Sequence, residues 1–403
     1  MKKVFISMAL MLAAGTSFAQ VSALKEADKA VGGGNYAQIG QMVEQALQDP
    51  TAASSAEAWN MAGKVYQKIS SEQTKKQVLQ QPFDTLAFYS APVNMYKYFT
   101  KADELGQQPD AKGKVKNKYR NSMANALKAE RANLVNGGIY YFNQNTETTN
   151  KRALEMFGTY VDMAESPMME KENYAVNDTN LSLIAYYASL AALRVNDYNN
   201  VQKYAQIAMN DKENGETAAE LLIESYKQLG QNDKYVNAIQ ESIAKYPNNT
   251  TFFANLVDYY TNNNQTAEAM AYTDRMIAQN PSSYFYPYVK GYLYTNEKDY
   301  DNAIECYKKA VSLKDDFADA YSRLGLIYVI KAQDFSAQAT VDVNDPKYNE
   351  DQKTLRSFYE AARPYLEKCR QLAPDNRSMW YQGLNSVYYN LNLENEYNAL
   401  QQQ

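Results

Sequence analysis

Any chemistry done by this 403-residue chain is done without histidine, because the sequence contains none. That removes Ser-His and Cys-His nucleophile activation, histidine general-base catalysis and the usual zinc sites. Two cysteines, Cys306 and Cys369, are too few for a disulfide framework. Both fall on predicted helices, where a small buried side chain is the ordinary reading, and a single bridge is the alternative for an exported chain. Gly32-Gly33-Gly34-Asn35-Tyr36-Ala37 matches a G-x-G-x-x-A dinucleotide fingerprint by letter. It follows a predicted helix where the fingerprint needs a strand, so it reads as a turn between helices. No phosphate-binding G-x-x-x-x-G-K-S/T loop occurs. Asp342, Asp345, Glu350 and Asp351 supply oxygen ligands for calcium, yet their spacing matches no calcium loop. No catalytic, cofactor-binding or metal residue is assigned. What remains is 36 tyrosines and a scatter of asparagines, residue types that combine apolar burial with hydrogen bonding.

Those tyrosines are positioned by a repeat. Tyr226, Tyr260, Tyr294 and Tyr328 stand 34 residues apart, as do Pro247 and Pro281. The clearest unit, residues 284–317, reads as helix–turn–helix, with Asn296 to Asp299 as the polar turn. Two short helices cross closely only where small residues meet, so Gly291 is expected to face Ala303, with Tyr294 and Tyr307 filling the space one turn away. A hairpin of this kind cannot bury its apolar face alone and needs stacked neighbours. Starts at 182, 216, 250, 284 and 318 hold one 34-residue register. Ile223 and Val257 replace the small residue in two units, where wider helix packing is expected. Lys290 occupies an apolar position, and Pro287 falls in a first helical turn, where its missing amide has no partner to lose.

The offsets of Gly291, Tyr294, Ala303, Tyr307 and Ala310 resemble the tetratricopeptide signature W-x2-L-G-x2-Y…A-x3-F…P. The resemblance implies an all-α, right-handed superhelical solenoid of helix–turn–helix repeats, about eight units here. It also implies binding rather than catalysis: first helices line a concave face, and their second, fifth, ninth and twelfth positions point into it. Carried onto this chain, those positions give Phe285, Tyr288 and Tyr292, then Tyr381, Asn385 and Tyr389, and Asp258 with Asn255 beside it. Such a surface suits an extended or helical partner segment; the alternative for each tyrosine is packing between repeats. Chaperone-binding members of the family grip a peptide carboxylate with lysine, arginine and asparagine. Here the corresponding positions hold Glu220, Glu224 and Thr251, with only Asn255 and Arg323 of the right type, so a carboxylate clamp is not expected.

Along the chain, residues 1–19 read as a secretory signal peptide. Lys2-Lys3 open it, Val4 to Ala14 form its apolar run, and Ser17-Phe18-Ala19 makes the cleavage site before Gln20. The run is too short for a bilayer anchor, so the mature chain is expected to be exported, periplasmic in a Gram-negative cell or secreted. Residues 20–181 read as degenerate repeats, with Gly137-Gly138 stopping a long helix and an inserted stretch at 70–87. Residues 182–403 read as a regular array with an insertion at about 334–358, in which Pro364 kinks or starts the returning helix, and with a capping helix at the C-terminus. Net charge is −5 at neutral pH. An acidic chain without a basic stripe is a poor nucleic-acid binder. The function expected is a non-enzymatic protein-binding scaffold of the bacterial envelope, without cofactor, working through the groove of residues 250–390. The alternative is a structural assembly factor that self-associates.

Overall fold

The structure, a computed structural model, describes residues 22–109, 112–115 and 117–402. Among the described residues all regular structure is helical. Two compact units are present, Met1–Ala238 and Ile239–Gln403. The first holds α1 (22–30), α2 (Tyr36–Leu47), α3 (Ala56–Val78), α4 (Thr85–Gly106), α5 (Arg120–Phe142), α6 (Glu147–Asp162), α7 (Leu181–Arg194), α8 (Tyr198–Ala208) and α9 (Gly215–Gln228). The division falls inside α10 (Asn232–Lys245). The second unit continues with α11 (Thr250–Asn262), α12 (Thr266–Gln279), α13 (Phe285–Asn296), α14 (Tyr300–Leu313), α15 (Ala318–Ser336), α16 (Tyr348–Leu372), α17 (Tyr381–Asn390) and α18 (Glu394–Gln401). Within each unit the helices pack in consecutive pairs.

The 34-residue period is written into the turns. Asn196, Gly230, Asn264 and Lys298, each 34 residues from the last, adopt left-handed backbone with φ of 56, 65, 58 and 63°. The amide that follows each one bonds back across the helix end: Asp197 to the Ala192 carbonyl, Gln231 to Tyr226, Gln265 to Tyr260 and Asp299 to Tyr294, at 2.7–2.9 Å. This is the Schellman closure, which satisfies helix-end carbonyls and reverses the chain in very few residues. Asp197 and Asp299 then cap the next helix, each accepting an amide three residues on at 3.2 Å. The next position in register is Ala332, a residue poorly suited to left-handed backbone. There the chain does not turn, and α15 runs on to Ser336.

Side chains repeat the same period. Gln206 of α8 donates to the Tyr226 hydroxyl at 3.1 Å, and Gln240 of α10 donates to Tyr260 at 3.4 Å. One period later the pair is Asp274 and Tyr294. Lys290 serves both, ion-pairing with Asp274 at 2.5 Å and lying 5.6 Å from the Tyr294 ring centre. An apparently misplaced lysine is thereby accounted for.

At the helix crossing Gly291 lies beneath the ring of Tyr307, whose atoms an added Cβ would meet at 2.8 Å. Gly63 lies in the same way under Phe99, Gly138 under Phe157 and Gly325 under Leu366. Each is a glycine of a first helix receiving the large apolar residue of the second. In the unit at 250 the residues at these two positions are Val257 and Thr273, both buried, so intermediate side chains stand where a glycine and a tyrosine stand in the next unit. Gly137-Gly138 is accordingly not a stop. Helix α5 runs through it, because the surrounding contacts with Tyr89, Met156 and Phe157 offset glycine's poor helix propensity.

Both inserted stretches lengthen the flanking helices and close with a short non-helical tip. α3 extends to Val78 and α4 begins at Thr85, while α15 extends to Ser336 and α16 begins at Tyr348, so each pair becomes a longer antiparallel hairpin. Pro364 lies inside α16 and does not start it. A segment the periodicity does not announce, residues 163–180, is pinned by the buried Arg131. Its guanidinium ion-pairs with Asp178, donates to the Tyr160 carbonyl at 3.1 Å, and is flanked by the Tyr160 and Tyr174 rings at 3.7 and 3.8 Å.

Gly230 has no atom within 4 Å of where a Cβ would stand, so its substitution probes backbone conformation alone. Gly230→Ala should lower unfolding free energy by about 1 kcal/mol in urea titrations. Gly138→Ala places a methyl group against the Phe157 ring and should cost more, about 1–3 kcal/mol. Equal effects would contradict this division of roles.

Candidate binding groove

First helices of successive pairs run side by side, and the shallow channels between them are where a partner segment can lie. In the second unit one such channel, between α15 and α17, is a cleft of about 540 Å³. Leu326 and Ile330 make its apolar wall, Gln333, Gln382 and Ser386 supply hydrogen-bonding groups, and Tyr389 stands at its edge. Tyr389 is 68 % exposed, with the ring of Tyr397 at 6.1 Å. An exposed phenol beside aliphatic wall and side-chain amides can bury an apolar side chain while pairing with a peptide backbone.

The sequence-predicted residues divide. Asp258 is exposed on α11, with Asn255 half-buried on the same helix, and Tyr292 is half-buried on α13. Phe285 packs edge-on against Phe253 of α11 at 5.9 Å. Tyr288 sits between Tyr307 and Phe317, at 5.6 and 4.9 Å. Phe285 and Tyr288 thus hold helix pairs together. At the C-terminus, Gln401 of α18 accepts from the Tyr381 hydroxyl at 3.2 Å and donates to Asn385 Oδ1 at 2.5 Å. Tyr381 and Asn385 are therefore tied to the partner helix of their own hairpin, and Asn385 also lines the cleft.

The cause is a register slip. Gly383 abuts Leu366 and Leu326 of the preceding pair. Asn385, one residue after Leu384 as Gly325 is after Leu324, takes the crossing position. The concave positions of α17 are thereby Gln382, Ser386 and Tyr389. Of the three residues predicted there, Tyr389 alone lines the open cleft without a bond to Gln401.

A second channel went unread in the sequence. In the first unit α5 and α7 border a cleft of about 460 Å³, lined by Val135, Ile139, Phe142, Phe157, Leu183 and Tyr187. Its signal was present, for Val135, Ile139 and Phe142 recur at spacings of four and three, one face of a helix. Taking Gly137-Gly138 as a helix stop cut that face in two.

The remaining candidates for chemistry have structural partners. Gly34 is left-handed at φ 78°, ending the Val31–Gly33 turn before α2, so the glycine run is a turn between helices. Asp342 accepts the Asn344 amide at 2.9 Å, Asp345 the Lys347 amide at 2.8 Å and Asp351 the Thr340 amide at 2.8 Å, so these carboxylates order the tip of the α15–α16 hairpin. Among the described residues no group of three or more metal-ligating side chains comes together. Cys306 and Cys369 are free thiols, and burial pushes Cys369 up to about 11, away from thiolate chemistry. No helix among the described residues is long and apolar enough to cross a membrane. The leader at residues 1–19 lies outside the described residues.

Residues 291–329, from the crossing glycine of α13 through most of α15, match the family model described as TPR repeat. That stretch carries a tetratricopeptide repeat. Among solved structures it is similar to a TPR repeats protein from Bacteroides fragilis, at 19 % identity over 64 % of this chain and 98 % of that one, with a TM-score of 0.37. It is similar also to the C-terminal part of a TPR repeat-containing protein from Cytophaga hutchinsonii, at 15 % identity over 65 % and 91 % of the two chains, with a TM-score of 0.38. A third, YrrB, a TPR protein with an unusual peptide-binding site, is 16 % identical over 53 % and 94 % of the two chains, with a TM-score of 0.30. No curated protein matches the chain. Arrays of this kind present extended binding surfaces and serve as scaffolds suited to protein partners.

The two tyrosines most alike in the sequence should behave oppositely. Tyr288→Ala removes packing between helix pairs and should cost about 2 kcal/mol of unfolding free energy, toward the lower end for aromatic truncation because the residue is half-buried. Tyr389→Ala should stay within about 0.5 kcal/mol. Urea titration of both variants tests the assignment, and a destabilised Tyr389→Ala would place that residue in the core.

Proposed function

We propose that this TPR protein is a non-enzymatic scaffold of the bacterial envelope that holds a segment of a protein partner in the cleft between α15 and α17. One observation carries the reading: the cleft joins an aliphatic wall from α15 to side-chain amides from α17, with Tyr389 exposed at its edge. That combination buries apolar side chains and leaves hydrogen-bonding groups for an extended backbone. Asp258, Asn255 and Tyr292 lie on preceding first helices and would extend contact along the partner. Export belongs to the proposal and rests on residues 1–19, with cleavage after Ala19.

The test has two arms. Whole chain expressed with its leader should be recovered with Gln20 as its first residue, read by intact mass. The chain and its Tyr389→Ala/Leu326→Ser variant, both checked by circular dichroism, are then used as baits on an envelope extract. A protein retained by the first bait and lost from the second supports the cleft as the site. Identical retention by both baits removes the site assignment, and an uncleaved cytoplasmic product removes the envelope.

A further inference from the structure

The two clefts between first helices make different demands on an occupant. The α15–α17 cleft offers Gln333, Gln382, Asn385 and Ser386 to a peptide backbone. Between α5 and α7 the lining is aliphatic and aromatic, with Val135, Ile139 and Leu183 beside the rings of Phe142 and Phe157. Apart from the Tyr187 hydroxyl, its hydrogen-bonding side chains stand only at the ends, Asn180 before α7 and Asn143 after α5. An extended peptide brings an N–H and a C=O with every residue, and in mid-cleft these groups would be buried unpaired. A helix with its side chains is about 10–12 Å across, so a space of about 460 Å³ holds roughly one turn of it. An alkyl chain meets neither objection.

The ends of this cleft differ in charge. Toward the start of α7, Arg131 ion-pairs with Asp178, and the same carboxylate accepts the Asn180 amide at 3.0 Å. Charge there is balanced. Where α5 and α7 finish, Arg194 lays its guanidinium over the Phe142 ring, 3.6 Å from the ring centre. Its Nη1 donates to the Phe142 carbonyl at 3.0 Å and to Asn150 Oδ1 at 3.3 Å. Arg194 is exposed, and among the described residues its Nε and Nη2 take no partner and no carboxylate ion-pairs with it. Those two nitrogens are the side-on donors of a bidentate carboxylate contact. Asn143, which lines the same end, adds an amide.

We propose that the α5–α7 cleft binds a free fatty acid, its alkyl chain along the apolar channel and its carboxylate on Nε and Nη2 of Arg194. The tail runs toward the end where Asp178 and Arg131 neutralise each other, and the head meets the one end that carries an unpaired cation. The Phe142 ring covers one face of the guanidinium, which holds the fork in place and keeps water from that side of the contact. An apolar channel with a cation at one end is complementary to an amphiphilic acid, and less so to a neutral lipid or a cationic one. This site lies within the first unit and is separate from the α15–α17 cleft, so either proposal can fail alone.

Isothermal titration of the whole chain with octanoate, decanoate, dodecanoate and tetradecanoate, each below its micelle concentration, provides the test. The expected result is a single site per chain whose affinity rises about fourfold per added methylene until the cleft is full. Decanol, which lacks the charge, should bind roughly tenfold more weakly than decanoate. Arg194→Gln should remove that difference while leaving decanol binding unchanged, a pattern that misfolding would not produce. Ile139→Glu, at an exposed position of the cleft wall, should weaken both ligands, with folding of each variant checked by circular dichroism. No binding of any acid, equal affinity for decanoate and decanol, or a site indifferent to both variants overturns the proposal. So does uptake of many acids per chain, which marks surfactant adsorption, or binding of an acidic amphipathic helical peptide in place of the acids, which would make the channel a protein groove.

Discussion

The distance at which two helices can cross sets the terms for the rest of this molecule. At four crossings a glycine of the first helix lies beneath a large apolar residue of the second: Phe99, Phe157, Tyr307 or Leu366. Removing a side chain from one surface lets a ring or branched group from the other fill the gap, so contact is dense without forcing the axes apart. In the unit at 250 the same two positions hold the middle-sized Val257 and Thr273. What recurs is the demand that the crossing be filled, not a fixed summed volume, since the same two positions hold Ile223 and Ile239 in the unit at 216 and Ser189 and Ala205 in the unit at 182, all buried. That demand also keeps α5 helical through Gly137-Gly138, where propensity alone favours a break.

Close crossing requires a short, closed turn, and the backbone supplies one at a fixed interval. The left-handed residues 196, 230, 264 and 298 tie off one helix and start the next. Where the register reaches Ala332 the device is missing, and the helix continues until Ser336. The hairpin that results is longer, and its tip is ordered by Asp342, Asp345 and Asp351 capping local amides. A local backbone preference thereby decides where the array departs from regularity.

Functional surface arises from what these constraints leave uncovered. Second helices and terminal helix α18 consume many aromatic side chains in packing, Tyr288 and Tyr381 among them. The channels between first helices keep aliphatic walls and amide groups open. Their electrostatic surroundings differ from those of a carboxylate clamp, because Glu220 and Glu224 stand where a clamp has cations.

The helical class, the 34-residue unit and the place of its turns were legible in the sequence because they depend on local preferences repeated in register. Asn196, Gly230 and Asn264 are readable as turn residues one by one, and the A-x3-F spacing marks second helices even in the degenerate half. The face each helix presents was not legible to the same degree. One residue turns a helix by about 100°, so a reading of α17 through Tyr381 and Asn385 passes over Gln382 and Ser386, which share the cleft with Asn385. Packing against Leu366 and the bond to Gln401 decide between those faces, and both partners lie far along the chain. The same holds for Gly137-Gly138, a break by propensity and a crossing only once Phe157 is in place. Local periodicity determines that helices form and where they reverse; contacts between pairs decide which side chains are core and which remain for a partner.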